Sequence, residues 1–496
     1  MSLTSLKSQT GNIKMSDPLD TQEGKAKVKS EGTTGKGLSK NMSSLDIIGV
    51  VNGNTYSVTT DNDQLVLNIH SKSMELVQQK VLNFNLDKKR YLLASNFRGR
   101  TLAETKVNIV TNYYISGNYI NFFIESIAKK NGFYELLMVR TDLKLTEDPK
   151  VYTLIKSKEQ TDNKPGVEAY GDGYTFKVKQ SPDSTKNLIC FIISHTITFK
   201  VYDKNFENVL TGKDVEINKE SWFLRLLTFD IDNLGNAYTL VKIAEKTGKE
   251  WFELTSFQKE TGSPQNFELS IPEKHIRSID MKCFNDNTIF LTGFYNKRGK
   301  KSDGYFNYIF DCKSQAIANQ NISEPVGLYD ENSDDGILQV KNIFNSNDGY
   351  YVVGEQLEEI VDKFPTYNYG DIVCLKLDNK GGVIKVNKVN KRQWEIPAPS
   401  VCSLLNNDAI YLLFVDLDKN INTKDIKEYK SIFGKIPKEV SLQEAVVNFK
   451  DIPKKTVIQS LQNTEKDLYP RPMDSRGNNN TFIINFKKQL GLLQVK

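Results

Sequence analysis

The residues able to carry proton transfer, metal ligation or nucleophilic attack are few and far apart in this sequence. Its three histidines, His70, His195 and His275, lie nowhere within five residues of one another, which excludes HExxH and Cys/His zinc spacings. His195 follows the apolar run LICFIIS and precedes TITFKVY, so it reads as a hairpin histidine donating to a carbonyl. No GxSxG elbow is present, which removes a fused serine hydrolase. The five cysteines (Cys190, Cys283, Cys312, Cys374, Cys402) include no CxxC pair and sit mostly inside apolar runs such as LICFII and DIVCLKL. Cysteine there acts as a small hydrophobe, and buried free thiols are expected. GTTGKG (Gly32 to Gly37) has the outline of a phosphate loop, but its spacing is short, no Ser or Thr follows Lys36 and no strand precedes it.

One stretch has the outline of a metal loop. In DLDKNINTK, the residues Asp416, Asp418, Asn420 and Asn422 alternate as oxygen donors do around Ca²⁺, which takes about six to eight oxygens from a tightly curled backbone. Ile421 stands where the sharp turn wants Gly, and Lys427 where a bidentate Glu would close the shell, so a solvated turn is the plainer reading and no cofactor is expected. Carboxylates also cluster at Glu358 with Glu359, and at Asp330, Glu331, Asp334 and Asp335. Such groups could act as acid and base in cleaving a sugar chain. Adjacent acids in a polar loop are ordinarily just solvated, and a catalytic pair would have to converge from separate elements.

Those elements are strands, and they recur. NDGYYVVGE (Asn347 to Glu355), DIVCLKL (Asp371 to Leu377) and GVIKVNKV (Gly382 to Val389) form the clearest unit, with DNKG (Asp378 to Gly381) as its tight turn. The middle strand is apolar on both faces through Ile372, Val373, Cys374, Leu375 and Leu377, as a sheet covered by other sheets requires. The turn-plus-strand signal repeats at NGNTYSV, SGNYINFFI, TKNLICFII, LGNAYTLV, DNTIFLTGF, NDGYYVVG, NDAIYLLF and NNTFIINF. Measured between Tyr56, Ile120, Ile189, Tyr238, Phe290, Tyr351, Tyr411 and Phe482, the intervals run from 49 to 71 residues, room for four strands. A second hairpin recurs downstream of each, as in RTDLKLTED, YDKNFENVL, DCKSQAIA and LDNKGGVIKV. Strand units unable to bury their own faces must stack, and radial stacking of four-stranded sheets leaves few exposed edges. The expectation is an all-β fold over residues 45–496: a single β-propeller with eight inner-strand repeats, hence seven or eight blades, preferred over a pair of β-sandwiches.

Two regions fall outside the rhythm. Residues 1–44 contain no aromatic residue, and a segment so poor in apolar groups cannot offset the entropy of ordering itself, which predicts a disordered arm or tether. Between about 416 and 452 the chain is Lys-rich, and SLQEAVVNF (Ser441 to Phe449) begins with a capping box, Ser441 and Glu444. A helical or irregular insertion is expected there, on a face where partners commonly touch.

QSPDSTKNLICFI (Gln180 to Ile192) resembles the WD40-like repeat of TolB-type propellers, with Ser184 and Thr185 where that family has Gly. NSNDGYYVVGE followed by DIVCLKLDNKGGVIKV, and DNLGNAYTLV, are similar to the repeats of exported bacterial propeller proteins of uncharacterised function, many of them lipoproteins or surface proteins. The resemblance implies a repeat protein of the bacterial envelope, periplasmic, outer-membrane-associated or extracellular behind a removed leader, with a lipid-tethered parent form.

Composition narrows the partner. With 66 Lys and Arg against 61 Asp and Glu, a net charge of +5 is too balanced to imply nucleic acid. No run approaches the roughly 18 apolar residues of a membrane span, and MSLTSLKSQTGNIK lacks the apolar core of a signal peptide, which taken literally points to the cytoplasm instead. The reading that results is a non-catalytic propeller, not an enzyme, presenting loops to a protein or glycan. The alternative is a carbohydrate-active propeller, a glycoside hydrolase or lyase using carboxylates at the central funnel.

Overall fold

A computed structural model describes residues 13–15, 19–20 and 46–495, apart from 62–63, 73–74, 83–89, 97–98, 104–111, 129–132, 159–175, 194–195, 217–222, 246, 260–263, 298–301, 329–335, 362–364, 395–400, 422–439, 462–468, 473–480 and 487–488. The described chain is a β-propeller. Seven antiparallel blades follow one another in sequence, with four consecutive strands each, and an eighth sheet joins the two ends. Blade 1 runs from Asp46–Val51 to Leu76–Leu82; blade 2 is Asn112–Ser116, Tyr119–Ala128, Phe133–Asp142 and Lys150–Lys158, with an extra hairpin, Arg90–Asn96 and Gly99–Ala103, laid on its second strand. Blade 3 spans Phe176–Gln180 to Val209–Glu216, blade 4 Phe223–Ile231 to Pro264–Leu269 and blade 5 His275–Cys283 to Ala316–Ser323. Blade 6 comprises Ile337–Ser346, Gly349–Val361, Pro365–Leu377 and Val383–Val389, and blade 7 Val401–Asn406, Ala409–Leu417, Val440–Val447 and Lys454–Leu461.

The closing sheet is built by both termini. Tyr469–Pro472, Thr481–Phe486 and Gln489–Val495 supply three strands, and Ile13–Met15 and Leu19–Asp20 pair with the last of them. Within the N-terminal arm these five residues are the described part; the remainder of residues 1–44 lies outside the described residues.

The eight repeated segments are strands, each interior to its sheet. Each is the second strand of its sheet, and it is the first strands of successive blades that touch one another and so gather at the centre. A second strand has a strand on each edge and a blade against each face, so it is buried throughout: Thr288–Asn296 is buried at every position after the first. Apolar clusters fill every interface between successive blades from 1 to 7. Phe122, Leu137 and Val139 of blade 2 meet Tyr56 and Leu67 of blade 1, and Tyr351, Val353 and Cys374 of blade 6 meet Ile410, Leu412 and Phe414 of blade 7. All five cysteines are buried free thiols within this packing, as expected.

Four of the recurring turns share one chemistry. At the hairpin between third and fourth strands, Asp142, Asp203, Asp311 and Asp378 each accept amide hydrogen bonds from residues two to five positions on. The tight backbone takes positive φ at Leu145, Phe206, Gln315 and Gly381. A Cβ on Gly381 would collide with Asn307 of blade 5, whose amide donates to the Gly381 carbonyl at 2.7 Å. Other blades repeat this staple: Lys80 reaches the Leu145 carbonyl at 3.2 Å, Arg140 that of Asn205, and Asn387 that of Asp451 at 3.2 Å. In the SPDST turn, Ser184 occupies the glycine position of the resembling repeat and has φ of 59°.

Ser441 to Val447 forms no helix. It is the third strand of blade 7, paired with Ile410–Leu417 on one side and Lys454–Leu461 on the other. Buried Gln443 and Glu444 broke the expected apolar alternation and imitated helical spacing. Asp418–Asn420 is a single 3₁₀ turn, and residues 422–439 lie outside the described residues.

Deleting residues 1–20 leaves the edge of Gln489–Val495 unpaired and unlinks the ends. It is expected to lower the melting temperature by about 2 °C or more, corresponding to roughly 2 kcal/mol; an unchanged transition in calorimetry would show that the arm closes nothing.

Candidate functional site

Antiparallel up-and-down order puts two kinds of connection at opposite ends of each blade. The hairpins held by Asp142, Asp203, Asp311 and Asp378 emerge at one end, the turn face. Connections between second and third strands, and the links from blade to blade, emerge at the other, the loop face. In blade 6 the second and third strands run 13 residues each. Their pairing continues to Val361 opposite Pro365, whereas the first strand ends at Ile337 opposite Leu357 and the fourth at Val389 opposite Ile372. A two-stranded ribbon therefore overhangs the loop face, flanked at its base by the short strand Gln393–Trp394, which pairs with Asn368 and Tyr369.

Beneath the ribbon lies a concentration of buried charge. Glu355, on the second strand, is fully buried; its Oε1 meets the Lys391 ammonium and its Oε2 lies 3.2 Å from Lys341 Nζ. Lys391, also fully buried, donates to Gln393 Oε1 at 3.1 Å. The Tyr369 ring faces both ammoniums, with its centroid 5.3 Å from Lys341 Nζ and 5.7 Å from Lys391 Nζ. Asp371 accepts from the Lys391 amide at 3.1 Å and pairs with Lys388 at 3.0 Å. Burial pulls the Lys391 ammonium below its ordinary range, and Glu355 opposes the shift. The Glu355–Lys391 pair is closed to solvent. What it does is fix the base of the ribbon to the link that enters blade 7.

The same seam contains the calcium candidate. Asp416 is buried at the end of the second strand of blade 7; its Oδ1 accepts from Asn420 Nδ2 and from the Leu417 amide, each at 2.8 Å. Its other oxygen faces Lys455 Nζ at 3.8 Å, and that ammonium also donates to the Asn420 and Asn390 carbonyls. Burial pushes the Asp416 carboxyl up to about 6 even with Lys455 opposite. The structure thus brings Asp416 and Asn420 together, with Asp418 in the adjoining 3₁₀ turn, while Asn422 lies outside the described residues. The cation facing the cluster is the Lys455 ammonium.

Among the other sequence candidates, Glu358 accepts from Asn368 at 3.3 Å across the ribbon, and Asp330, Glu331, Asp334 and Asp335 lie outside the described residues, as does His195. His70 Nε2 is 3.1 Å from Ser57 Oγ inside blade 1, and His275 opens the first strand of blade 5. At the centre, Asp230 accepts from the Ile231 and Cys283 amides, each at 3.0 Å, tying blade 4 to blade 5. Asp280 accepts from Met281 at 2.8 Å. These central acids hold backbone. Sequence reasoning passed over Lys341, Glu355, Asp371, Lys388, Lys391 and Lys455; the one local signal was a glutamate inside the apolar run YYVVGEQL.

No protein-family model matches the sequence, and no curated protein matches it. Among solved structures the chain is similar to the Dos1 propeller, at 10% identity and a TM-score of 0.42 over 92% of this chain and 93% of that one. It is similar also to a prolyl endopeptidase, at 12% identity and a TM-score of 0.40, covering 89% of this chain and 54% of the peptidase, so that it spans about half of that protein's length. The β-propeller domain of the Trilobed protease from Pyrococcus furiosus shows 9% identity and a TM-score of 0.35 over 83% of this chain and 92% of that domain.

Removing one partner of the buried pair strands the other's charge. Glu355→Gln or Lys391→Met alone is expected to cost about 3–5 kcal/mol in chemical denaturation, and Glu355→Leu with Lys391→Met together less than the sum. Single variants within about 0.5 kcal/mol of the parent would mean that the pair is not desolvated.

Proposed function

We propose that this chain is a non-catalytic β-propeller that presents its loop face to a protein or glycan partner in the bacterial envelope. The observation that carries the proposal is the overhanging ribbon of blade 6. A hairpin extended past the strands that would cover it exposes main-chain donors and acceptors, and such edges are held in place at a cost that a partner strand or loop can offset. Glu355, Lys391 and Tyr369 anchor the ribbon from below, which keeps it in one orientation and reduces the ordering entropy lost on binding. The buried carboxylates Asp230, Glu355, Asp371 and Asp416 are engaged with amides or lysines, which supports a binding role over acid–base catalysis. The envelope location rests on the resemblance of the repeats to those of exported propellers.

The test compares the parent with a variant in which residues 359–366 are replaced by Asn-Gly, shortening the ribbon while leaving the blade. A partner recovered from native envelope extract by the parent and lost by the variant, with no turnover of a polysaccharide panel by either, is the expected outcome. Equal recovery by both would remove the ribbon as the binding element, and polysaccharide cleavage would replace the reading with a carbohydrate-active one.

A further inference from the structure

The loop face carries a second projection, on blade 2. After the 13 residues of the blade 6 ribbon, the 10 of Tyr119–Ala128 make it the longest second strand among the described residues. The first strand, Asn112–Ser116, takes the axis-side edge of residues 119–123, so the extra hairpin reaches that edge only beyond it, with residues 90–92 opposite 126–128. Among the described residues, 93–96 and 99–102 pair with each other and with no blade. They therefore stand off the sheet as an arm on the axis side of the loop face. Blades 3, 4 and 5 separate blade 2 from blade 6 in one direction, and blade 7, the closing sheet and blade 1 in the other, so arm and ribbon stand on opposite sides of the propeller axis. They also carry opposite charge. The two strands of the arm contain Arg90 and Arg100 and no acid, whereas residues 358–361 and 365–369 of the ribbon contain Glu358 and Glu359 and no base. In the arm Tyr91, Leu92 and Leu93 occupy successive positions and so alternate between its two faces. A two-stranded hairpin of this kind is marginal in water by itself and is stabilised by whatever covers it.

We propose that the loop face is the interface of a twofold-symmetric homodimer, in which the blade 2 arm of each copy lies against the blade 6 ribbon of the other. The inference rests on the reading of the ribbon as a binding element and names its partner as a second copy of this chain. The order of the sheets provides the fit. A twofold axis lying across the loop face from blade 4 to the closing sheet places blade 2 of one copy over blade 6 of the other and blade 6 over blade 2, so one pair of patches is used twice and the assembly closes. Arg90 and Arg100 then meet Glu358 and Glu359 at both contacts. Any rotation that set arm on arm and ribbon on ribbon would oppose like charges, which selects against it. A neutral partner would leave both charges unanswered, and a polyanion would match the arm while being repelled by the ribbon. A second copy answers both, and the arm gains the cover that blade 2 does not give it.

The experiment is sedimentation velocity on the purified full chain from micromolar to submillimolar concentration. A species of twice the 56.5 kDa chain mass is expected to grow with concentration. Arg90→Glu with Arg100→Glu in one variant, and Glu358→Lys with Glu359→Lys in another, are each expected to weaken dimerisation about tenfold or more. Mixing the two variants is the decisive measurement. The reversed arm of one then meets the reversed ribbon of the other, the two unreversed elements meet as well, and a heterodimer of parental affinity is expected. A monomeric parent, dimers that survive both reversals, or a mixture no more associated than its components overturns the inference. Should a variant lose its cooperative melting transition, the parent's response to salt decides: an affinity falling about tenfold from low to high salt is expected, and a dimer indifferent to salt overturns it. Because no extract enters the measurement, its failure is separable from that of the loop-face reading: a monomeric parent whose ribbon still captures an envelope protein contradicts the homodimer alone.

Discussion

A four-stranded blade in this chain has two apolar faces and no means of covering either. That constraint dictates everything larger. Phe290 and Phe294 on the second strand of blade 5 face Tyr350 and Val352 of blade 6, while Ile289 and Leu291 on the opposite face pack with Tyr238 and Leu240 of blade 4. No blade can be removed without exposing two neighbours, and large-to-small changes at such positions are of the kind that cost about 2–5 kcal/mol each. The turns set the spacing at which the faces meet. An aspartate folds the hairpins of blades 2, 3, 5 and 6 upon themselves and Asn448 that of blade 7, and a lysine, arginine or asparagine of the preceding blade takes carbonyls presented by the turns of blades 2, 3, 6 and 7.

Polar chemistry in the interior follows from the same stacking. Where successive blades meet near the loop face, Glu355, Asp371 and Asp416 are drawn out of water with Lys341, Lys388, Lys391 and Lys455. A buried ion pair gains little over a well-packed apolar one, because desolvation offsets its attraction. Its value lies in allowing only one arrangement, and here that arrangement seats the blade 6 ribbon and directs the chain into blade 7. The turn face uses charge differently. Arg140, buried beside the rings of Tyr119 and Tyr152, donates to Asn121 and to the Asn205 carbonyl and so ties blade 2 to the turn of blade 3.

The propeller was legible in the sequence because second strands are covered on both faces and edges, and so read as unbroken apolar runs such as TIFLTGFY behind a turn. Their radial order was not legible. Burial on two faces marks a strand as interior to its sheet, whereas the strands that gather at the axis are mixed, as ILQVKNIFNS at Ile337–Ser346 illustrates. The helix expected at Ser441 failed because two polar residues buried in a strand copied a helical period. Of the candidate site, local spacing could show only the Asp416–Asn420 turn. Glu355 finds Lys391 across 36 residues, and Asp416 meets Lys455 across three strands of a blade, pairings that exist only once the sheets have formed.

Stacked blades that share their faces must unfold together, whereas two β-sandwich domains would each have a core of its own. Native-state hydrogen exchange under increasing denaturant separates these. The account predicts that the amides of the second strands of blades 1 to 7, from Asn54–Asp61 through Gly349–Glu355 to Ala409–Leu417, form the slowest-exchanging set and converge on one free energy with one denaturant slope. Two blocks of second strands, divided along the sequence and exchanging with different free energies and slopes, would contradict it.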